Sequence, residues 1–109
     1  MNLVHILDHV VLPTTEVNSW IRRWRTEYLP GARERGMRSV HLWRSHPAPD
    51  AVTIDILWEL RDPYAFYGMR GAAAADPDVA RFWADTDAIA ISRDRRALQA
   101  EAHAEDATP

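Results

Sequence analysis

The sequence contains no cysteine, which excludes disulfides, thiolate nucleophiles and zinc–cysteine sites. Lysine is also absent, since all 13 basic side chains are arginine, so Schiff-base chemistry on a lysine is excluded. With 16 acidic residues the net charge is −3, which argues against nucleic acid as the main partner. No secretory leader and no apolar run long enough to cross a membrane is present, so we expect a cytoplasmic protein.

The length of 109 residues predicts one domain with a modest core. Hydrophobic residues make up 47% of the chain and charged residues 27%, which is typical of a globular protein and not of a disordered acidic one. We expect the domain to span residues 1–96 and to be followed by a polar, alanine-rich tail over 97–109. Small sheets often gain buried area by dimerising, so a homodimer is expected.

A β-hairpin over residues 37–60 is the clearest local pattern. Runs rich in β-branched and aromatic residues, 37–45 and 51–60, flank a loop at 46–50 that contains two prolines. Alternation with period two puts Ile54, Ile56 and Trp58 on one face of the sheet, which predicts that helices pack against this face. His41 and Asp55 fall on the opposite face, where they can form a cross-strand pair.

The remaining elements follow from apolar spacing and from helix-boundary residues. Residues 3–12 predict a first strand, and apolar residues at helical spacing from Val17 to Tyr28 predict an amphipathic helix that ends by Gly36. Asp62-Pro63 and Asp76-Pro77 predict a helix start and a restart. Residues 88–92 predict a short last strand, with a short helix from Arg93 to about residue 103. The order is βαββαβ, an α+β ferredoxin-like fold with two helices on one face of an antiparallel sheet.

These elements resemble the dimeric α+β barrel superfamily, in particular its NIPSNAP-like and antibiotic-biosynthesis-monooxygenase-like branches. The resemblance covers about residues 3–96. It rests on Tyr28-Leu29-Pro30, Gly36, Leu57-Trp58-Glu59, and Asp76-Pro77 before Phe82-Trp83. It implies two sheets packed across a two-fold axis and a small ligand between each sheet and its helices. Such families include cofactor-free monooxygenases, polyketide cyclases, lyases and haem-binding proteins, so the fold alone does not select a reaction.

The first group of candidate site residues is polar. It comprises His5, His9, His41 and Asp55. An imidazole titrates near neutral pH, and a nearby carboxylate can orient it for proton transfer. The alternative is that these residues line an interface between sheets or face water. Some cyclases that the chain resembles use a strand-one histidine as base, and His5 is the matching residue; Tyr64 and Tyr67 stand where those enzymes have a helix-two histidine.

No metal or haem is expected. His5 and His9 are four residues apart on a strand, about 13 Å at a rise of ~3.3 Å per residue, too far to share one ion. A haem needs an axial ligand on the helix side, and neither predicted helix offers a histidine in its core.

The second group is aromatic and would face the space between the sheet and the helices. Its members are Trp20, Trp24, Tyr28, Trp58, Tyr67, Phe82 and Trp83, with Trp43, His9 and Arg70 as further binding candidates. An aromatic stripe usually means core packing, but an aromatic cavity with few polar groups also suits a planar small molecule. Asp8 faces this space if Ile6 and Val10 do, and a lone carboxylate there can act as a base. If the strand is turned over, His5 and His9 face it instead.

We therefore predict a small-molecule enzyme that acts on an aromatic or polyketide-like substrate by cofactor-free proton transfer, as a cyclase, lyase or isomerase. His5, His41, Asp55 and Asp8 are the catalytic candidates. One alternative is a cofactor-independent monooxygenase, in which a substrate carbanion reacts with O₂. Another is a non-catalytic ligand-binding or assembly protein.

Overall fold

The computed structural model describes residues 2–101, which form one four-stranded antiparallel sheet and a set of helices. The strands are β1 (Val4–Pro13), β2 (Arg38–Ala48), β3 (Ala51–Leu60) and β4 (Ser92–Gln99). A 3-10 turn at Thr14–Glu16 leads into α1 (Val17–Arg23), a π-helical stretch (Trp24–Tyr28) and α2 (Leu29–Glu34). Helices α3 (Pro63–Ala74) and α4 (Pro77–Ile89) lie between β3 and β4. The predicted α+β, ferredoxin-like element order is confirmed.

The strand order is β2-β3-β1-β4, as the crossover pattern predicts, so β1 and β3 are central. The core lies between these strands and the helices. Every second residue of β1 and β3 is buried on that side, and most of the residues between them are partly exposed. Trp20 of α1 joins this core to α4 by donating its indole N–H to the buried Thr86 hydroxyl at 2.9 Å.

The boundary residues behave as their sequence predicts. Asp62 accepts a hydrogen bond from the Ala65 backbone N–H at 2.7 Å and caps α3, and Asp76 caps α4 in a similar way. Gly36 has a φ of +90°, which lets the chain leave α2 and turn into β2. Leu29-Pro30-Gly31 suggests an interruption of the helix, and this expectation is wrong. Helical structure continues through these residues to Glu34, because Pro30 sits in the first turn of α2 where no N–H is needed.

The hairpin loop is shorter than predicted. Strand β2 continues through Pro47 to Ala48, leaving only Pro49 and Asp50 as the turn. A proline is tolerated in this place because β2 is an edge strand and its pairing shifts register between Ser45 and Ala48.

The prediction for the C-terminal part was wrong. Of the residues predicted as the last strand, 88–92, only Ser92 lies in a strand, because α4 runs on to Ile89, with Phe82 and Thr86 buried on its inner side. Strand β4 starts at Ser92 and covers most of the residues expected to be helical from Arg93 onward. It pairs with β1 from Val11 opposite Ser92 to Val4 opposite Gln99. The sheet therefore extends three residues past the expected domain boundary at 96, and the predicted end of the helix near residue 103 lies outside the described residues.

Candidate functional site

Strand β1 presents Asp8 to the helices. Ile6, Asp8 and Val10 are all buried on that side, whereas His5 and His9 lie on the opposite face of the sheet. The sequence left open whether Asp8 or the pair His5 and His9 faces the helices, and in the structure it is Asp8. Its carboxylate is only 2% exposed, so it needs hydrogen-bond and charge partners inside the protein.

Asp8 is held by three hydrogen bonds. Arg95 of β4 donates from Nε to Oδ1 at 2.5 Å and from Nη2 to Oδ2 at 2.8 Å, which is a bidentate ion pair. The Trp58 indole N–H donates to Oδ2 at 2.9 Å. Asp8 is therefore not the lone carboxylate that the sequence analysis expected. Because its charge is compensated by Arg95, the Asp8 carboxylate mainly holds the Arg95 side chain in place.

Tyr28 completes this network from the helical side. Its hydroxyl accepts a hydrogen bond from Arg95 Nη2 at 3.0 Å. Tyr28 closes the π-helical stretch Trp24–Tyr28, where the backbone is wound more loosely than in an α-helix. Both ends of this stretch, Trp24 and Tyr28, have buried side chains that contact Trp58 of the sheet, with ring centroids 5.6 and 6.0 Å away.

The Arg95 guanidinium is strongly held in its charged form. Burial works against the charge, but the hydrogen bonds and the negative charge of Asp8, with Tyr28 adding to them, raise the pKa of Arg95 above its usual value. Its side chain is still 31% exposed, so Arg95 is clamped at Nε and Nη2 while the side chain as a whole remains partly open to solvent. Trp83 of α4 lies 5.4 Å from it and covers it further.

A cavity of about 390 Å³ opens beside Arg95, between α3, β1 and β4. This volume lies within the range of small-molecule sites, roughly 300–1,000 Å³. Its wall combines two arginines with an apolar surface. The arginines are Arg70 and Arg95, and the apolar residues are Ile6, Phe66, Met69, Ala73 and Ala97.

A second depression, of about 400 Å³, lies between the π-helical stretch and α4 but offers less to a ligand. Its charged groups already satisfy one another, since Arg23 pairs with Asp85 at 2.9 Å and Arg81 with Asp78 at 2.8 Å. Charges in closed, exposed pairs of this kind gain little from a further partner. The cavity at Arg95 is therefore the candidate site.

The polar group predicted from the sequence is split between the two faces of the sheet. On the face away from the helices, His9 Nδ1 lies 2.6 Å from Asp55 Oδ1, and His5 Nε2 lies 3.5 Å from Glu59 Oε2. A hydrogen bond from Arg38, partly opposed by desolvation, lowers the pKa of Glu59. These residues are separated from Asp8 by the sheet itself.

His41 is also on this outer face, but it is not the partner of Asp55. It pairs with Leu57 in the register, while Trp43 stands opposite Asp55. The shift arises between Ser39 and His41, where the strands are irregular. His41 instead stacks on Trp43, with ring centroids 4.7 Å apart. Among residues 2–101, no group of three or more His, Asp or Glu side chains is placed to hold a metal ion.

Most of the predicted aromatic residues form core instead of a cavity wall. Trp24 and Trp58 do face each other, but they are fully buried and packed in contact, and neither lines the cavity at Arg95. Trp43 is 48% exposed on the outer face, and Tyr67 is exposed on α3. Of the predicted binding residues, Arg70 alone lines this cavity, while Tyr28, Trp58 and Trp83 touch the network behind it.

Arg95, Phe66 and Met69 were not among the site residues predicted from the sequence. Arg95 was hidden because its segment was predicted to be helical, so its face could not be assigned. A usable signal was present: a buried aspartate needs a partner that compensates its charge, and in a chain without lysine that partner is an arginine or a histidine. Phe66 and Met69 follow the capped start of α3 at helical spacing, which puts them on one side of that helix.

Comparison with known proteins identifies the fold. No protein-family profile matches the chain, and no curated protein sequence matches it. A NIPSNAP domain protein from Burkholderia xenovorans superposes with a TM-score of 0.67 at 18% identity, covering 92% of this chain and 95% of that one. A NIPSNAP family protein from Agrobacterium tumefaciens gives 0.67 at 13% identity, with coverage of 88% and 90%.

A conserved protein of unknown function from Bacteroides thetaiotaomicron, described as a possible oxidoreductase, is also similar. Its TM-score is 0.60 at 11% identity, covering 90% of this chain and 97% of that one. At these identities the likeness carries the fold and not the chemistry. No helix among residues 2–101 is long and apolar enough to cross a membrane. The chain therefore has the ferredoxin-like α+β fold of NIPSNAP family proteins.

Proposed function

We propose that this protein is a small-molecule enzyme that acts on an aromatic or polyketide-like substrate by cofactor-free proton transfer, in the cavity beside Arg95. The observation that carries the proposal is a clamped arginine, Arg95, whose side chain is partly exposed in a cavity wall that is apolar apart from Arg95 and Arg70. Removing a proton next to a carbonyl creates negative charge on the carbonyl oxygen. A donor fixed in advance stabilises that charge without having to reorganise during the reaction.

In this proposal Arg95 stabilises the developing enolate and Asp8 accepts the proton. None of the residues that line the cavity has a carboxylate or an imidazole. Asp8 is the carboxylate bonded to Arg95 of the cavity wall. Its Oδ1 accepts one hydrogen bond in the described part of the chain, so it would take up the proton while Arg95 stays clamped. Cyclase, lyase and isomerase reactions all begin with such a proton removal.

Deuterium exchange tests this proposal directly. In D₂O, the wild-type protein should accelerate exchange at the carbon next to the carbonyl of an aromatic ketone such as 2-tetralone, as followed by NMR. General acid–base catalysis is worth roughly 10²–10⁴-fold, so the Asp8→Asn variant should lose at least about a hundredfold of the rate. The control is Asp94→Asn, an exposed carboxylate on the other face of the sheet. A ketone that binds but exchanges only at the buffer rate would contradict the proposal.

Two alternatives have one supporting observation each. The Bacteroides neighbour described as a possible oxidoreductase favours cofactor-independent oxygenation, which consumes O₂ during turnover whereas proton transfer does not. The absence of a titrating group among the residues that line the cavity favours a non-catalytic ligand-binding protein. In that case ligands bind, the Asp8→Asn variant changes only affinity, and neither exchange nor O₂ uptake is seen.

The uncovered face of the sheet supports a homodimer as part of the same proposal. It exposes Trp43 by 48% and Leu98 by 40%, beside the partly exposed Leu7 and Leu57. Exposed apolar side chains on one face of a small sheet are typical of an association surface. Light scattering at micromolar concentration should give twice the monomer mass, and Trp43→Arg should lower it. A monomer for the wild-type protein would contradict this part.

A further inference from the structure

The candidate cavity has a charge that nothing in it balances. Two arginines line it, and within residues 2–101 the only carboxylate in contact with them is Asp8, which compensates Arg95. Arg70 is left over: it has no salt bridge and no hydrogen bond within residues 2–101. Its guanidinium lies 5.8 Å from the centre of the Phe66 ring, one turn back on α3, which keeps it beside the cavity. The site therefore has one positive charge in excess.

The hydrogen bonds of Arg95 show which of its atoms is left for a ligand. A guanidinium has five N–H donors in one plane. Nε uses its single hydrogen on Asp8, and Nη2 uses its two on Asp8 and on the Tyr28 hydroxyl. The two hydrogens that remain belong to Nη1, which has no acceptor in the described part of the chain. Because the other donors are clamped, Nη1 is held in a fixed position before any ligand arrives.

We infer that the ligand of this cavity is a planar, largely apolar molecule with a single carboxylate, which is bound by Arg70 together with Nη1 of Arg95. This inference rests on the proposed function in taking the same cavity as the substrate site. One carboxylate balances the excess charge and has enough lone pairs for both guanidinium groups. A dianionic phosphate would instead leave a net negative charge beside an apolar wall.

The apolar part of the cavity suits the body of such a ligand. Ile6 of β1, Met69 and Ala73 of α3, and Ala97 of β4 offer carbon surface and no hydrogen-bonding side chain. A ligand with polar groups around its whole edge would lose hydrogen bonds to water there without replacing them. The arrangement thus selects a molecule that is charged at one end only, with its ring system directed away from the arginines.

The test compares two probes of the same shape. 2-Naphthoate carries the negative charge and 2-naphthamide does not, and isothermal titration calorimetry gives the affinity of each. We expect naphthoate to bind about tenfold more tightly, which corresponds to ~1.4 kcal/mol and to one charge-assisted hydrogen bond. Arg70→Gln should remove most of this difference, because Arg70 is exposed and its replacement leaves the fold intact. Arg25→Gln, an exposed arginine on the π-helical stretch, should preserve it.

A cavity-filling variant separates failure of this inference from failure of the proposed function. Ala73→Phe places a ring in the cavity and should abolish binding of both probes. Equal affinities for naphthoate and naphthamide, both lost in Ala73→Phe, would overturn the carboxylate inference and leave the cavity as the binding site. Binding that survives Ala73→Phe, or no binding of either probe, would overturn the assignment of this cavity and the proposed function with it. If the Arg70→Gln variant still binds naphthoate more tightly than naphthamide by the wild-type ratio, Arg70 does not bind the carboxylate.

Discussion

Strands β3 and β4 pair with the same strand, β1, from its two sides, yet they are built in opposite ways. Every residue of β3 is buried or partly buried, and its helix-facing side chains are all apolar. Every residue of β4 is exposed, and the arginines Arg93, Arg95 and Arg96 dominate it. Hydrophobic burial therefore fixes β3, whereas backbone pairing with β1 and a few ion pairs hold β4 in place.

The open side of β4 is also where the candidate site lies. Ala97 and Arg95 of β4 form one wall of the cavity and α3 forms the other, so the gap left by weak packing becomes a binding space. The ion pair with Asp8 makes this possible, because it ties an exposed strand to the buried core at one point. Ligand sites are commonly built from such parts of low local stability, here the exposed edge strand β4, which the Arg95–Asp8 ion pair ties to the core.

The largest expected effect is on the β3 side. Trp58→Ala should lower the free energy of unfolding by about 3–5 kcal/mol, because it empties a fully buried position and leaves Asp8 without one donor. The matching change on β4, Leu98→Ala, should cost less than about 1 kcal/mol, since this side chain is 40% exposed. Urea denaturation measures both. A small loss for Trp58→Ala would mean that its surroundings are loosely filled and form part of a ligand site.

A somewhat smaller effect is expected at the anchor of β4. Arg95→Gln should cost about 3 kcal/mol, because it leaves the Asp8 carboxylate buried without its charge partner. Arg96→Gln, next along the same strand but exposed on the other face, should stay within about 0.5 kcal/mol. Denaturation curves compare the two, and the double variant Asp8→Asn with Arg95→Gln should recover part of the loss. Equal costs for Arg95 and Arg96 would show that the pair does not anchor the strand.

The smallest effect concerns the start of β4 and depends on pH. The hydrogen bonds from Arg93, partly opposed by desolvation, lower the pKa of Asp87 below its ordinary 3.8, so the ionised pair stabilises the fold above that value. This contribution is lost as the pH falls and Asp87 takes up its proton. The wild-type protein should therefore melt slightly higher than Asp87→Asn near neutral pH, and the two should converge as the pH falls well below 3.8.

Both partners of this pair are substantially exposed, so the difference should be small and should shrink further at high salt. Adding Arg93→Gln to Asp87→Asn should not change the pH dependence of the melting temperature any further, because the pair is already broken. A difference in melting temperature that persists at low pH would show that Asp87 acts through packing and not through its charge.

The sequence was sufficient to predict the fold where side-chain patterns repeat locally. The alternation in β1 and β3, the Asp-Pro helix starts and Gly36 each predicted an element or a boundary that the structure confirms. The same patterns failed for residues 88–99. The alternating Ile89 and Ile91 are typical of a strand, although α4 runs to Ile89. All residues of β4 are exposed, so its sequence does not alternate between apolar and polar side chains and gives no strand pattern.

The candidate site was predictable only in part. Asp8, Tyr28, Trp58 and Arg70 were recognised as candidates, but their grouping around Arg95 was not. His5, His9, His41 and Asp55 have the residue types that proton transfer needs, and their place on the outer face of the sheet separates them from the cavity. A residue type indicates what a side chain can do, whereas the face it occupies decides with which partners it can act.

The amino-acid sequence by itself determined the order of strands and helices and the apolar face of the central sheet, because both follow from spacings of two to four residues along the chain. Only the tertiary structure decided that Asp8 faces the helices and meets Arg95, 87 residues away. That contact arises from β4 pairing with the free edge of β1, and hydrogen bonds between backbones leave no mark in the side-chain pattern of an exposed strand.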